Sequence, residues 1–135
     1  MSERKFAVVA IGGNSLIQDA KHQSVEDQYQ AAKETTYHIA DMIEAGWDLA
    51  IGHGNGPQVG FILRRSELSK DEVDPVPVDY AVADTQGAIG YMFVKALTNE
   101  LGARGLSRPV VAVANHMGSL ATQDMTVMGA ISSLK

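Results

Sequence analysis

Apolar residues fall along the chain in two kinds of pattern. KFAVVAI, Lys5–Ile11, is a short, mostly apolar run that stops at glycine, and it predicts a fully buried strand of the kind found in parallel sheets. WDLAIGH, Trp47–His53, predicts a second strand, and RPVVAVAN, Arg108–Asn115, a third. Between these runs the apolar positions recur every three or four residues, the spacing of one helical face. Tyr29, Ala32, Thr36, Ile39, Ala40 and Ile43 form such a stripe, predicting a helix from Val25 to Ala45 that ends at Gly46. Ser24 precedes it. A full capping box needs Glu or Gln three residues later; Asp27 stands there and Glu26 one place early, so only a partial cap is expected.

Asn55 to Leu68 reads as a loop leading into a helix that carries Val59, Ile62, Leu63 and Leu68. Ser69 to Tyr80 is charged and holds two prolines, which predicts a surface excursion. A last helix is expected over Ala81–Leu101 on Ala88, Ile89, Met92, Phe93, Ala96, Leu97 and Leu101, closed by Gly102 and Gly105. The order strand, helix, strand, helices, strand predicts an α/β fold, its mostly parallel sheet covered by helices on both faces. Residues 116–135 show weak periodicity and yield no element.

Composition narrows the classes. The chain has 135 residues, 45% hydrophobic and 20% charged, enough for one domain with a core. The net charge is −5, and the basic residues are scattered apart from the pairs Arg4–Lys5 and Arg64–Arg65, which argues against nucleic acid as a partner. The absence of cysteine excludes disulfide and thiolate chemistry. No run approaches the ~18 apolar residues of a membrane span, and FAVVAI is too short for a signal peptide, so a cytoplasmic protein is expected.

Two glycine-rich breaks carry the chemistry. Gly12, Gly13 and Asn14 follow the first strand; Gly54, Asn55 and Gly56 follow the second, with Pro57 near the start of a helix. In parallel sheets ligands bind beyond the strand C-terminal ends. Glycine lets backbone approach a ligand closely, successive N–H groups form an anion nest, and a helix N-terminus adds partial positive charge. If the strands are neighbours, both breaks converge on one anion; taken singly, each is also an ordinary tight turn. Neither matches G-x-x-x-x-G-K-[ST] or G-x-G-x-x-G. Gln58 and Gln86 read as capping or packing residues and His53 as structural. Arg64 and Arg65 read as solvated, and Met92 with Phe93 as core. Asp79 and Asp84 lack a paired carboxylate, so no metal site is indicated.

AIGGNSL (Ala10–Leu16), GHGNGPQVG (Gly52–Gly60) and ADTQGAIGYM (Ala83–Met92) together resemble the carbamate kinases of the amino acid kinase superfamily. Thr85 replaces the serine of that family's S-Q-G-x-I-G-Y segment. The likeness runs from about Phe6 to about Val113. Ala10 stands where acetylglutamate and uridylate kinases usually carry a lysine, as is similar to carbamate kinases. The resemblance implies a three-layer αβα sandwich, with residues 1–114 an incomplete N-terminal half. It implies phosphoryl transfer, ATP + carbamate ⇌ ADP + carbamoyl phosphate, with Mg²⁺ and a homodimer. Gly12, Gly13 and Asn14 would hold the phosphoryl group catalytically, and Gly54, Asn55 and Gly56 the substrate carbamate. The family's T-K-P-I-G lysine and ATP-binding half have no counterpart here, so the nucleotide-binding residues are unknown. Residues 115–135 then read as a divergent tail, the product of truncation or a frameshift. A non-catalytic anion-binding or interaction module, or an inactive fragment, are the alternatives.

Overall fold

The computed structural model describes residues 5–115. Strands β1 (Lys5–Ile11) and β2 (Trp47–His53) pair in parallel, with register running from Lys5↔Trp47 to Ile11↔His53. Helix α1 (Val25–Glu44) makes the crossover between them. A 3₁₀ turn, Gly13–Leu16, follows β1. Helices α2 (Gly56–Ser69) and α3 (Val78–Ala103) come after β2.

Local chemistry explains the ends of α1. The Asp27 N–H donates to Ser24 Oγ at 3.1 Å, and Asp27 Oδ2 accepts from the Ser24 N–H at 3.0 Å. The expected partial cap is therefore a complete capping box, because the shorter aspartate still spans the distance. Such a cap stabilises a helix by about 1 kcal/mol. At the other end Gly46 adopts φ +88°, which a side chain would strain.

One core unites the elements. Ala31, Ala32 and Ala40 let α1 sit close, and Ile39 and Ile43 pack with Leu49 and Ile51 of β2 and with Ile89, Phe93, Leu97 and Leu101 of α3. Arg104 fastens α3 to α1. Its guanidinium donates to Asp41 Oδ1 at 2.6 Å, Glu44 Oε2 at 3.1 Å and the Tyr37 carbonyl at 2.9 Å, and its Nε to Glu100 at 2.7 Å.

Two expectations are corrected. First, β1 is not fully buried. Ala7, Val9 and Ile11 turn toward the core, but Phe6 is 61% and Val8 70% exposed. The single core among the described residues lies against one face of the sheet, and β1 therefore alternates with period two. Secondly, Arg108–Asn115 is not a strand. An apolar run makes a strand only where a neighbour accepts its hydrogen bonds, and among the described residues no such ladder forms; Val111 and Val113 are exposed. Side chains hold this segment instead. Arg108 donates to Asp48 at 2.6 Å, while Gln86 both donates to the Asn115 carbonyl (3.0 Å) and accepts from its N–H (2.7 Å).

Smaller differences concern helix faces. Helix α3 starts at Val78, before the expected Ala81, and Ala88 is exposed. On α2 the buried residues are Gln58 and Ser66, whereas Leu68 is 68% exposed. The sequence segment from residue 116 onward lies outside the described residues.

Candidate anion cradle

Strands β1 and β2 end in register, so the two glycine turns leave the sheet side by side. The Gly54 N–H donates to the Ile11 carbonyl at 2.9 Å, extending the pairing one step beyond the strands. The turns then touch, backbone to backbone. A Cβ on Gly54 would lie 2.6 Å from Gly13 N and 3.1 Å from Gly13 Cα. A Cβ on Gly13 would lie 3.1 Å from Gly54 C, 3.2 Å from Asn55 N and 3.4 Å from Gly56 N. Gly54 is thus required for space, and Gly13 stands in a tight fit against it. Neither has a positive φ, which among the described glycines is confined to Gly46 and Gly105. Gly12 and Gly56 are less constrained: a Cβ on Gly12 would meet Ser15 Oγ at an ordinary 3.6 Å, and one on Gly56 would meet nothing within 4 Å.

The donors of the cradle are main-chain groups. Among the described residues, no backbone hydrogen bond takes up the N–H of Gly12, Gly13, Asn14 or Gly56. Gly56 opens α2, whose first turn adds partial positive charge, and Pro57 in that turn removes no needed donor. Asn14 is exposed beside them.

The Asn55 side chain ties the second turn to α3. It is 4% exposed, and its amide donates to Thr85 Oγ1 at 2.8 Å rather than capping α2. Thr85 Oγ1 in turn donates to the Val82 carbonyl at 2.7 Å. The second turn is thereby anchored to the middle of α3. Gln58 packs: its Nε2 donates to Gln28 Oε1 at 3.1 Å, and Gln28 Nε2 donates to the Gln23 carbonyl at 3.0 Å. Sequence reasoning missed Thr85 as an anchor and Gln86 as the clamp on Asn115. A signal was present: both are polar residues at buried positions of a helical stripe, where polar groups need dedicated partners.

His53 ends β2 and is 1% exposed. Its Nδ1 lies 3.2 Å from the Gly54 carbonyl, and burial holds its pKa below the ordinary histidine value. Several basic side chains are engaged elsewhere. Lys70 pairs with Glu67, Arg104 and Arg108 pair with carboxylates, and Lys95 lies 4.6 Å from the centre of the Tyr29 ring. Arg64 and Arg65 are exposed. No group of three His, Asp or Glu suited to a metal ion exists among the described residues. The cradle's N–H groups suit an anion and not a cation, so these residues do not fit Mg²⁺.

No family model matches the chain. Individual proteins do. The carbamate kinase-like protein YahI of Escherichia coli (strain K12) is 42% identical over 112 residues, which are 82% of this chain and 35% of that protein. The carbamate kinase of Thermococcus kodakarensis is 40% identical over 112 residues, 81% of this chain and 36% of the relative. Carbamate kinase from Giardia lamblia bound to AMP-PNP superimposes with a TM-score of 0.77 at 30% identity, over 82% of this chain and 39% of that one. The α/β arrangement is accordingly part of the amino acid kinase fold. Within that fold the chain is similar to the N-terminal part of carbamate kinases. It spans about a third of the length of the relatives it matches.

Proposed function

We propose that the paired turns hold the phosphoryl group that passes between ATP and carbamate. In this reading Gly12, Gly13 and Asn14 form one wall and Gly54, Asn55 and Gly56 the carbamate-side wall. The observation that carries it is the direct contact between Gly13 and Gly54, which unites two N–H-rich turns and an α2 N-terminus at the end of a parallel sheet. The homologous carbamate kinases support the reaction class.

What this chain's residues contribute is binding and orientation. A transferring phosphoryl group spreads negative charge over its oxygens, and fixed main-chain donors stabilise that charge without reorganising. One such donor is typically worth ~3–4 kcal/mol of barrier. The nucleotide and Mg²⁺ are assigned to no described residue, and no step is derived through them. The homodimer and cytoplasmic location belong to the same proposal; among the described residues no helix is long and apolar enough to cross a membrane.

A second reading is favoured by the engagement of Lys70, Lys95, Arg104 and Arg108 away from the turns: an anion-binding module without transfer chemistry. One measurement tests the cradle common to both readings, and a second separates them. Phosphate titrated into the protein should shift the amide resonances of Gly12, Gly13, Asn14 and Gly56; shifts confined to residues remote from both turns would remove the cradle. ATP formation from carbamoyl phosphate and ADP should stay at background for the 135-residue chain alone. Positioning of two substrates is worth ~7–11 kcal/mol, and in this reading the chain supplies a cradle for one of them. Turnover that disappears in Gly13→Val would establish transfer chemistry within this chain.

A further inference from the structure

Helices α2 and α3 enclose a groove apart from the two glycine turns. Phe61, Ile62 and Arg65 line it from α2, and Ala88, Ile89, Met92 and Lys95 line it from α3. Residues three, four and seven apart share one helical face, so each wall is a continuous stripe. The cavity measures about 310 Å³, at the small end of the ~300–1,000 Å³ of ligand pockets. Its middle is apolar: Ile89 and Met92 are buried, Phe61 and Ile62 are half-buried, and Ala88 adds little bulk.

The rim is charged, and it is positive. Arg65 reaches the cavity from α2 and Lys95 from α3. Neither forms an ion pair among the described residues; Lys95 Nζ lies 4.6 Å from the centre of the Tyr29 ring instead. Glu26 also lines the cavity, and its carboxylate accepts from Gln30 Nε2 at 2.8 Å. Two cations against one carboxylate make a locally positive mouth on a chain whose net charge is −5. An apolar groove under a positive mouth matches a ligand with an apolar body and an anionic end. Aromatic rings suit the body, since Met92 offers a thioether to a ring edge and Phe61 a ring face. A carboxylate suits the end, since a guanidinium pairs with it through two parallel hydrogen bonds. A second copy of this chain docked through the same face would set like charge against like. We propose that this groove binds a small arylalkyl carboxylate, its ring against Phe61, Ile89 and Met92 and its carboxylate at Arg65 and Lys95. The site is separate from the cradle and does not depend on how the cradle is read.

The probe is 3-phenylpropionate, compared with its neutral amide, 3-phenylpropionamide. Binding is followed by the methyl shifts of Ile62, Ile89 and Met92 in the full chain. The carboxylate should shift these methyls, and inorganic phosphate at the same concentration should not. The amide should bind about fivefold more weakly, the order of one solvent-exposed ion pair. Arg65→Met should weaken the carboxylate by about the same factor and leave the amide unchanged. Ala88 is exposed, so Ala88→Trp should fill the groove and abolish binding of both probes without lowering the urea midpoint. Equal affinity for acid and amide, an unchanged affinity in Arg65→Met, or shifts confined to residues outside the groove overturn the proposal. Methyl shifts that follow protein concentration instead of probe would show a second copy in the groove, and they also overturn it. Should Ala88→Trp fail to fold, the comparison of acid with amide in the unmodified protein and in Arg65→Met decides.

Discussion

Gly54→Ala is the smallest change that probes the seam between the turns. The added Cβ lies 2.6 Å from Gly13 N, about 0.8 Å inside the 3.4 Å where ordinary contact begins, and both of its closest contacts are backbone. No flexible side chain can swing away, so the turns must part. Parting them pulls on the Gly54 N–H to Ile11 hydrogen bond and on the register of β1 with β2. Overpacking of this kind costs about 1–3 kcal/mol, against a gain of at most ~1 kcal/mol from stiffening the unfolded chain. Gly13→Ala meets its neighbours at 3.1–3.4 Å and should cost less; Gly56→Ala meets nothing within 4 Å and should be near neutral. Urea denaturation gives the ranking, and a phosphate titration of each variant gives the matching order of affinity. The reasoning is refuted if Gly54→Ala has the stability of the unmodified protein, or if Gly56→Ala is as damaging as Gly54→Ala.

Other outcomes are expected from the same geometry. His53 binds a proton less readily folded than unfolded, so the unfolded chain holds more protons as pH drops below about 6.5, and folding stability should decline there. Urea midpoints at pH 7.5 and 5.5 should show a smaller drop in His53→Asn than in the unmodified protein. Exposed His22, raised by its hydrogen bond with Asp19, acts with the opposite sign and is common to both proteins. Arg104→Ala should lower the urea midpoint by freeing α3 from α1, and Arg104→Lys should restore only part, because one ammonium cannot reproduce the separate bonds of the guanidinium. Phe6 and Val8 leave an apolar sheet face bare, so the protein should self-associate at micromolar concentration; sedimentation should show Val8→Lys shifted toward monomer, and an unchanged distribution would refute this.

Much of this was legible in the sequence where local rules govern. Trp47–His53 has the strand boundaries that its apolar run predicts, and α1 ends one residue before the expected Ala45. The adjacency of the two turns followed from placing two strands side by side. What was hidden depends on neighbours. Phe6 and Val9 look alike in sequence, and only the position of the core tells which one is covered. Arg108–Asn115 has a strand's composition but no ladder to join. At the cradle, the sequence did not distinguish Gly54, which needs space, from Gly56, which does not. The turning of the Asn55 side chain toward Thr85 involves residues thirty positions apart.

The parallel pairing of β1 with β2 also bears on the order in which the molecule assembles. Every bridge, from Lys5↔Trp47 to Ile11↔His53, joins residues about forty positions apart, and none forms through a tight hairpin. Helix α1, with its own capping box, can begin to coil locally. The strands meet only after the intervening chain has been closed into a loop, an entropic cost borne before any bridge rewards it. The turns stand at the far ends of those strands and depend on them for their contact. In pulse-labelling during refolding, the amide of Gly54 is therefore expected to gain protection after those of α1, so the anion-holding part of the molecule would be among the last to take shape.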